Sequence, residues 1–422
     1  MRGPLSPQLL PENSQVQTDD IVVGGVSLRE LAGQFGTPLF VYDEESLRAR
    51  AREAANGFDD GVAFASKSFF CGAMARLVHE EGLCIDVSTA GELDVALRAG
   101  VPADRIILHG NNKSREELER ALEVGVRRII VDSFDEIGRL THLVSPSRPA
   151  RCMVRTTPGI EAHTHEFVRT GHEDTKFGFS LANGDAQRAV SELRHIDNVS
   201  VEGVHCHIGS QIFLLDSYRE TVRLMAEFVA ANEVTELCIG GGLGVAYVEE
   251  EHAPTITEWT DTVRAALASE GLGDVAVTAE PGRSIVARAG LTVYEVGTRK
   301  VAAHRNYLAV DGGMSDNPRP VLYGSGYEAV LVRAPKAERT TAYRIVGKHC
   351  ETGDFLIDEA WLPGDVHPGD LLVTPVTGAY GYSMASNYNR VPRPAVVFVR
   401  DGVARLVLRR ETLDDLSRLE VL

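Results

Sequence analysis

Lys67 lies in the segment FASKSFF, directly after a short apolar run. A lysine at a strand end among apolar residues is partly desolvated, which lowers the pKa of its amine and suits it to form an imine. The segment also fits a lysine whose amine extends into solvent along an apolar stem. Lys67 by itself leaves both interpretations open.

The segment EPGRS, residues 280–284, follows another apolar run and offers groups that bind anions. Gly282 can present a backbone amide, and Arg283 carries the planar fork that suits phosphate or carboxylate. Glu280 points to a more specific chemistry. A carboxylate beside a pyridine nitrogen keeps that nitrogen protonated and makes the ring a strong electron acceptor.

A glycine run, IGGGLG from Ile239 to Gly244, also follows an apolar run. Its glycines would let backbone amides surround a phosphate group. The spacing differs from a dinucleotide fingerprint, and the Gly-Lys-Ser/Thr ending of a nucleotide-binding loop is missing. A tight turn between a strand and a helix explains the run equally well.

Two histidines in HCHIGS, His205 and His207, would share one face of a strand because side chains alternate along it. With His163 and His165 they suggest a metal site, but two ligands are too few for zinc, and we predict no metal. We expect His207 to stack on an aromatic cofactor and Ser210 to donate to its phosphate. A structural histidine is the alternative.

Three C-terminal segments mix glycine with arginine, tyrosine, cysteine and acids, as loops that form binding sites do. They are GGMSDNPRPVLYG (312–324), HCETGD (349–354) and GAYGYSMASNYN (378–389). For each segment considered separately, an ordinary turn without a binding role is the alternative.

The elements that position these segments can be predicted from the sequence, because short apolar runs alternate repeatedly with amphipathic helices. The helix predicted over Ser114–Val124 opens on a capping box formed by Ser114 and Glu117. Eight strands alternating with helices favour a parallel (β/α)8 TIM barrel, whose chemistry lies at the carboxyl ends of the strands; an open doubly wound sheet is the alternative. The predicted strands are 62–65, 83–87, 106–108, 129–131, 151–154, 201–205, 236–239 and 275–279.

After about Ala303 the helical periodicity fades, and short apolar runs between Gly and Pro predict an antiparallel β domain. We therefore divide the chain into a flexible lead-in (1–18), a segment that packs with the β domain (19–42), the barrel (43–302) and the C-terminal β domain (303–422).

The chain has 422 residues and a net charge of −17, which disfavours nucleic acids and anionic membrane surfaces as partners. Its six cysteines are scattered, without a C-x-x-C pair, as is typical of reduced cytoplasmic thiols. The sequence has neither the apolar run of a membrane span nor that of a signal peptide. These features predict a cytoplasmic protein.

Taken together and in order, the motifs resemble the diaminopimelate decarboxylase family of pyridoxal-phosphate enzymes, from about Asp19 to Leu422. Ser68 replaces an alanine common in the family and Thr352 a serine, and neither change removes a group that the chemistry needs. The resemblance implies an alanine-racemase-like barrel with a β domain, and active sites shared across a homodimer. The most specific motifs are HGNNKS, EAHTHEF, KFGFS, VDGGMSDN, VGKHCETGD and LVLRRET.

The resemblance also implies a role for each site residue. Lys67 would hold pyridoxal 5'-phosphate as a Schiff base, Glu280 would pair with the ring nitrogen, and His207 would stack on the ring. Cys350 would reprotonate the substrate carbon, and the partner subunit would supply both Cys350 and Glu351. The other implied cofactor contacts are Ser210, Gly242, Pro281, Gly282, Arg283 and Tyr380. The implied substrate contacts are Arg283, Arg319, Tyr323, Glu351 and Tyr380.

The implied reaction converts meso-2,6-diaminopimelate to L-lysine and CO2. A related decarboxylase of ornithine, arginine or carboxynorspermidine would favour an aspartate where this chain has Glu351, and Arg319 adds a group that reads a distal carboxylate. A racemase would tend to place an arginine at the ring nitrogen instead of Glu280. A regulator without the cofactor would lack Lys67 or the phosphate-binding groups, and all of them are present.

Overall fold

The structure is a computed structural model that describes residues 2–159 and 175–421. It divides into two compact units. The barrel unit comprises Arg50–Gly244 and Ala253–Ser284, and the sheet unit comprises Met1–Ala49, Val245–His252 and Ile285–Leu422. The C-terminal segment of the sheet unit begins at Ile285, whereas residue 303 was the predicted start of the C-terminal β domain. The predicted pair His163 and His165, and the motif EAHTHEF, lie outside the described residues.

The N-terminal part of the chain forms a small antiparallel sheet, two helices and one longer buried strand. Helix α1 begins after Ser27, whose side chain accepts a hydrogen bond from the Glu30 amide. Leu9 and Leu10, in the segment predicted to be a flexible lead-in, are buried. The elements are β1 (Gln15–Val16), β2 (Ile21–Val23), β3 (Val26–Ser27), α1 (Leu28–Phe35), β4 (Leu39–Asp43) and α2 (Glu44–Gly57).

The barrel unit confirms all eight predicted barrel strands. They pair in parallel in the order β13-β12-β11-β9-β8-β7-β6-β5, and β10 adds to β9. The Ala63 and Ala65 amides donate to the carbonyls of Ala279 (2.9 Å) and Pro281 (3.1 Å), which joins the first strand to the end of the last. The strands are β5 (Ala63–Ala65), β6 (Cys84–Val87), β7 (Ile106–Leu108), β8 (Arg128–Val131), β9 (Ala150–Thr157), β10 (Phe179–Ser180), β11 (Val199–Cys206), β12 (Glu236–Cys238) and β13 (Ala276–Thr278).

Helices connect these strands and bury their apolar faces. The predicted capping box is present, because Ser114 accepts from the Glu117 amide while the Glu117 side chain accepts from the Ser114 amide. Leu118 and Leu122 of that helix are buried, as the sequence predicted. The helices are α3 (Gly72–Glu80), α4 (Ala90–Arg98), α5 (Arg115–Val124), α6 (Phe134–Leu143), α7 (Asp185–Arg194), α8 (Asp216–Ala231) and α9 (Ile256–Ser269).

The strands of the barrel unit contribute small and medium apolar side chains to one buried cluster. Because a barrel interior is narrow, such side chains fill it as a packed core and leave no channel. The polar groups are therefore displaced to the strand ends. The cluster consists of Ala63, Cys84, Ile107, Ile130, Met153 and Cys238.

The sheet unit is built around the long strand β14, which pairs with β4, β15 and β19. Most pairs are antiparallel, as predicted, but β15 with β17 and β4 with β20 are parallel. The remaining elements are α10 (Arg283–Val286), β14 (Gly290–Val301), β15 (Asn306–Val310), α11 (Arg319–Tyr323), β16 (Val330–Leu331), β17 (Thr341–Val346), β18 (Phe355–Leu362), β19 (Leu371–Pro375), β20 (Ala395–Arg400), β21 (Val403–Leu408) and α12 (Leu413–Ser417).

All six cysteines are free, and only Cys350 is exposed. Among the helices that the structure describes, none combines the length and apolar character needed to cross a membrane.

Candidate active site

Lys67 lies in a single 3-10 turn, Ser66–Ser68, directly after β5. Ser66 and Ser68 are buried, and the Ser68 hydroxyl donates to the Ala65 carbonyl at 2.8 Å. The Lys67 side chain is itself exposed, so the predicted desolvation of its amine is not provided by its neighbours in the chain. The turn fixes the backbone of Lys67 between two buried serines.

Glu280, two residues after β13, is buried with its carboxylate among three polar side chains. Its Oε1 lies 2.8 Å from Nε2 of His109, and its Oε2 lies 3.1 Å from Nε2 of His205. The Cys238 thiol donates to Oε1 at 3.5 Å. Burial raises the pKa of Glu280, but the two histidines outweigh it and hold that pKa well below its usual range. The carboxylate is therefore an anion at the carboxyl end of the barrel.

His207 follows β11, and its Nδ1 accepts a hydrogen bond from the Gly241 amide at 3.2 Å. Burial lowers the pKa of His207, and the nearby Lys67 ammonium lowers it further. A ring nitrogen that accepts from a backbone amide carries no proton. His207 is thus a neutral imidazole, as stacking on an electron-poor aromatic ring requires.

His205 has a role that the sequence left open between a metal ligand and a structural histidine. Within the described residues, His109, His205 and Glu280 offer ligand atoms within 4.8 Å of one another. The structure brings His205 and Glu280 together, as hydrogen-bonding partners at 3.1 Å. That the site holds no metal stays a prediction.

His109 and Asp86 were not among the predicted site residues. Nε2 of His109 lies 3.8 Å from Oδ1 of Asp86, and both side chains are buried. His109 directly follows β7, so the strand-end rule that selected Lys67, His207 and Glu280 would have found it. Asp86 lies inside β6, where the sequence shows only an apolar run interrupted by one acid.

The loops after β11, β12 and β13 bring the predicted phosphate-binding groups together. Arg283 donates from Nη2 to the Ser210 hydroxyl at 2.9 Å. Gly242 has φ +107°, and a Cβ there would lie 2.3 Å from the Gly209 carbonyl oxygen. A Cβ on Gly282 would lie 2.9 Å from the Ala65 Cβ. Only glycine allows these approaches.

These groups match the needs of pyridoxal phosphate. A hydroxyl, a guanidinium and glycine backbone suit a phosphate group. A buried anion suits a protonated ring nitrogen, and a lysine amine suits an aldehyde. The residues of the barrel unit therefore fit the cofactor.

The predicted substrate residue Arg319 begins helix α11 in the sheet unit and is buried. It donates from Nη1 to the Tyr327 hydroxyl at 2.7 Å, and its guanidinium carbon lies 4.2 Å from the centroid of the Tyr247 ring. A guanidinium held against an aromatic ring keeps its planar fork oriented. Tyr323, at the other end of the helix, is exposed.

Cys350 and Glu351 lie in the loop between β17 and β18, and both are exposed. The Cys350 amide donates to Oδ1 of Asn389 at 3.3 Å. The Asp354 carboxylate accepts from the amides of Met314 (2.7 Å) and His349 (2.8 Å). All three predicted C-terminal loops are thus joined by hydrogen bonds around the backbone of this segment.

Tyr380 lies in the third of these loops, GAYGYSMASNYN, and is half-buried with φ +58°. This left-handed conformation is uncommon for a tyrosine and often marks a functional loop. Tyr388, later in the same loop, donates from its hydroxyl to Oε2 of Glu351 at 3.5 Å.

Comparisons with known proteins agree with this geometry. The model of the pyridoxal-binding domain of pyridoxal-dependent decarboxylases matches residues 44–287. The diaminopimelate decarboxylase of Mycobacterium tuberculosis is 45% identical over 440 residues, covering 99% of this chain and 98% of that protein. The diaminopimelate decarboxylase of Bacillus subtilis is 44% identical over 432 residues, covering 96% of each.

A solved structure shares the whole fold. The crystal structure of diaminopimelate decarboxylase from M. jannaschii in complex with L-lysine matches with a TM-score of 0.91 at 30% identity, covering 98% of each chain.

Proposed function

Because this chain belongs to the family of pyridoxal-dependent decarboxylases, we propose that it converts meso-2,6-diaminopimelate to L-lysine and CO2, the last step of lysine biosynthesis. The observation that carries the proposal is the buried Glu280 anion at the barrel's strand ends, which favours an electron-accepting ring. Full-length relatives named diaminopimelate decarboxylase support the substrate. The scattered free thiols support a cytoplasmic location.

Pyridoxal phosphate, when bound, supplies an aldehyde that condenses with amines and a ring that accepts the electron pair left by departing CO2. The chain's own residues set the conditions for this chemistry. Lys67 would present the amine that holds the cofactor, and Glu280 would keep a proton on the ring nitrogen. Neutral His207 would cover one face of the ring and exclude water from it. Ser210 and Arg283 would hold the phosphate.

The substrate carries an amino acid group at each end, so the far end needs a cation for its carboxylate and an anion for its ammonium. We assign the cation to Arg319 and the anion to Glu351, with Tyr323 and Tyr380 beside them. Cys350 donates the proton that replaces CO2 on the substrate carbon. A site that pairs buried charged groups in this way rejects shorter substrates by roughly 10⁴-fold, since those leave its groups unpaired.

The substrate is tested by CO2 release from meso-diaminopimelate beside L-lysine, L-ornithine and L-arginine, on protein saturated with pyridoxal phosphate. We expect release from meso-diaminopimelate alone. Arg319→Lys should raise KM for it, because an ammonium cannot replace the planar fork. Arg305→Lys, a change at an exposed arginine, is the matched control. Faster release from ornithine or arginine would overturn the proposed substrate.

We also propose a homodimer in which each site receives Cys350 and Glu351 from the partner subunit. The exposure of both residues in the single chain supports this arrangement. Cys350→Ala should bind the cofactor and slow turnover by roughly 10–100-fold, the usual contribution of one acid–base group. Mixing it with inactive Lys67→Ala should restore activity, since a heterodimer has one intact site. No recovery under conditions that exchange subunits would refute the shared site.

A further inference from the structure

We propose that His109 and His205 are positioning residues that keep Glu280 ionised and aimed at the ring nitrogen of pyridoxal phosphate, in unequal roles. His109 acts as the charged partner of Glu280, and His205 as a neutral hydrogen-bond donor. The inference rests on the proposed function, because it concerns the residue assigned to the cofactor ring.

The first support is the geometry of the carboxylate. Nε2 of His109 lies 2.8 Å from Oε1 as an ion-pair contact outside hydrogen-bond geometry, whereas Cys238 donates to Oε1 and His205 hydrogen-bonds Oε2, so both oxygens are engaged. These three residues belong to different strands of the barrel unit, since His109 follows β7, His205 is in β11 and Cys238 ends β12. A carboxylate held from three directions has little freedom to rotate, which fixes the direction in which its remaining lone pairs point.

The second support is the charge balance of a buried acid. An isolated carboxylate in this position would take up a proton, because burial disfavours its charged form. A protonated Glu280 could not hold a proton on the ring nitrogen. The two histidines reverse that preference, since they outweigh the effect of burial on the pKa of Glu280.

The two histidines differ in their own surroundings. Nδ1 of His205 is buried and has no hydrogen-bond partner among the described residues, so a proton there would be unsatisfied. His205 is therefore neutral, with its proton on Nε2 facing Glu280, and burial lowers its pKa. Burial also acts against a charge on His109, but Asp86 at 3.8 Å and Glu280 at 2.8 Å raise its pKa above the ordinary value.

Two other cations also act on this cluster. Arg155 of β9 opposes protonation of both histidines, and Lys67 favours the ionised form of Asp86. Asp86 is the nearest anion to His109 besides Glu280 within the described residues. The proton on His109 thus depends on two carboxylates, Asp86 and Glu280, which both approach Nε2 of the ring.

The loop that carries His109 is itself fixed by a buried cation. Lys113 donates from Nζ to the carbonyls of Gly110 (2.8 Å) and Ile130 (2.6 Å) and lies 2.8 Å from the Glu136 carboxylate. His109 therefore enters the site from a backbone that cannot shift without breaking a buried ion pair.

The test is the protonation state of the cofactor itself, read by ¹⁵N NMR on holoenzyme reconstituted with pyridoxal phosphate labelled at the ring nitrogen. In the wild type the resonance should lie in the pyridinium region. His109→Leu and His205→Leu should move it toward neutral pyridine and lower kcat at least about tenfold. The NMR sample contains no substrate, so failure of the proposed substrate leaves the nitrogen resonance unaffected.

Conservative variants separate the two roles. His205→Gln should restore the pyridinium signal, since the glutamine amide replaces a neutral donor. His109→Gln should restore it only in part, because it lacks the charge. His195→Leu, at an exposed histidine of the same unit, should leave the signal unchanged. An unshifted resonance in both leucine variants would overturn the proposal.

If the leucine variants fail to fold or to bind the cofactor, neutron diffraction of wild-type holoenzyme crystals tests the proposed protonation states directly. We expect deuterium on both nitrogens of His109, on Nε2 alone of His205, and none on Glu280. Deuterium on the Glu280 carboxylate, or a neutral His109, would refute the proposal.

Discussion

The Glu280 cluster of the barrel unit and the Cys350 loop of the sheet unit are built in opposite ways. Glu280, His109 and His205 are all buried, and each charged atom is matched by another within the same unit. Cys350 and Glu351 are exposed, although the backbone around them is held by Asn389 and Asp354. One region has its side chains fixed, and the other has only its backbone fixed.

This difference indicates that the Cys350 loop lacks a covering surface, whereas the Glu280 cluster is already buried. The buried cluster has shifted pKa values because its charges are removed from water and placed beside one another. The side chains of Cys350 and Glu351, by contrast, still face solvent. Closing an active site expels water from it, so Cys350, which we propose as the proton donor, needs a covering surface before it can act. The shared homodimer site proposed above would supply one.

The largest expected effect comes from the barrel unit. Lys67→Ala removes the amine that we propose holds the cofactor, so turnover should fall by at least about a thousandfold. CO2 release and the absorbance of the imine band measure it. Lys336→Ala, at an exposed lysine of the sheet unit, should leave both unchanged. Normal turnover by Lys67→Ala would contradict the proposal that the barrel unit supplies the lysine that binds the cofactor.

The next effect concerns the ion pair beneath His109. Lys113→Met leaves the buried Glu136 without its cation, and the free energy of unfolding should fall by about 3 kcal/mol. Urea unfolding measures it. Lys113→Met with Glu136→Leu should recover part of the loss. Arg98→Met, which breaks an exposed pair with Asp94, should cost less than about 1 kcal/mol. Equal losses for the buried and exposed pairs would show that burial does not strengthen the dependence of stability on an ion pair.

A pH-dependent effect should distinguish Asp86. Burial raises the pKa of Asp86 from 3.8 to about 6, although His109 opposes the shift. Folding therefore favours the protonated form of Asp86. The contribution of this preference to the free energy of unfolding is fully present below about pH 4 and is lost as pH rises through about 6.

Asp86→Asn should consequently raise the free energy of unfolding by about 1–3 kcal/mol at pH 8 and by little at pH 4. Urea unfolding of cofactor-free protein at both pH values measures this. Asp94→Asn, at an exposed site, should show no such difference. A variant that is stabilised equally at both pH values would mean that Asp86 is not an ionised buried acid.

The smallest effect should come from the sheet unit. Asn389 has φ +50°, so Asn389→Gly keeps the backbone conformation and removes the side-chain oxygen that accepts from the Cys350 amide and contacts Nδ1 of His349. We expect kcat to fall by less than about tenfold, with the cofactor absorbance unchanged. Asn183→Gly, at an exposed asparagine, is the control. A larger loss than in Cys350→Ala would assign Asn389 a role beyond holding this loop.

The barrel was readable from the sequence because its parallel strands are covered on both faces, so each appears as a short, nearly continuous apolar run. Helix α5 was equally clear, since Ser114 and Glu117 cap it through a contact three residues apart. The division into units was less readable. The pattern of apolar runs that predicts the barrel strands continues into β14, yet β14 pairs with β4, β15 and β19. The pairing partners of a strand cannot be predicted from the residues of that strand alone.

The sequence by itself determined the alternation of strands and helices and the positions of Lys67, His207 and Glu280 at strand ends, because these depend on local periodicity. Only the tertiary structure decided that His109, His205 and Cys238 converge on Glu280, since the four residues come from separate segments that meet where parallel strands end. It also decided that Lys67 is exposed while its neighbours are buried. Electrostatic environment depends on distances between residues far apart in the chain, and those distances exist only after the barrel has formed.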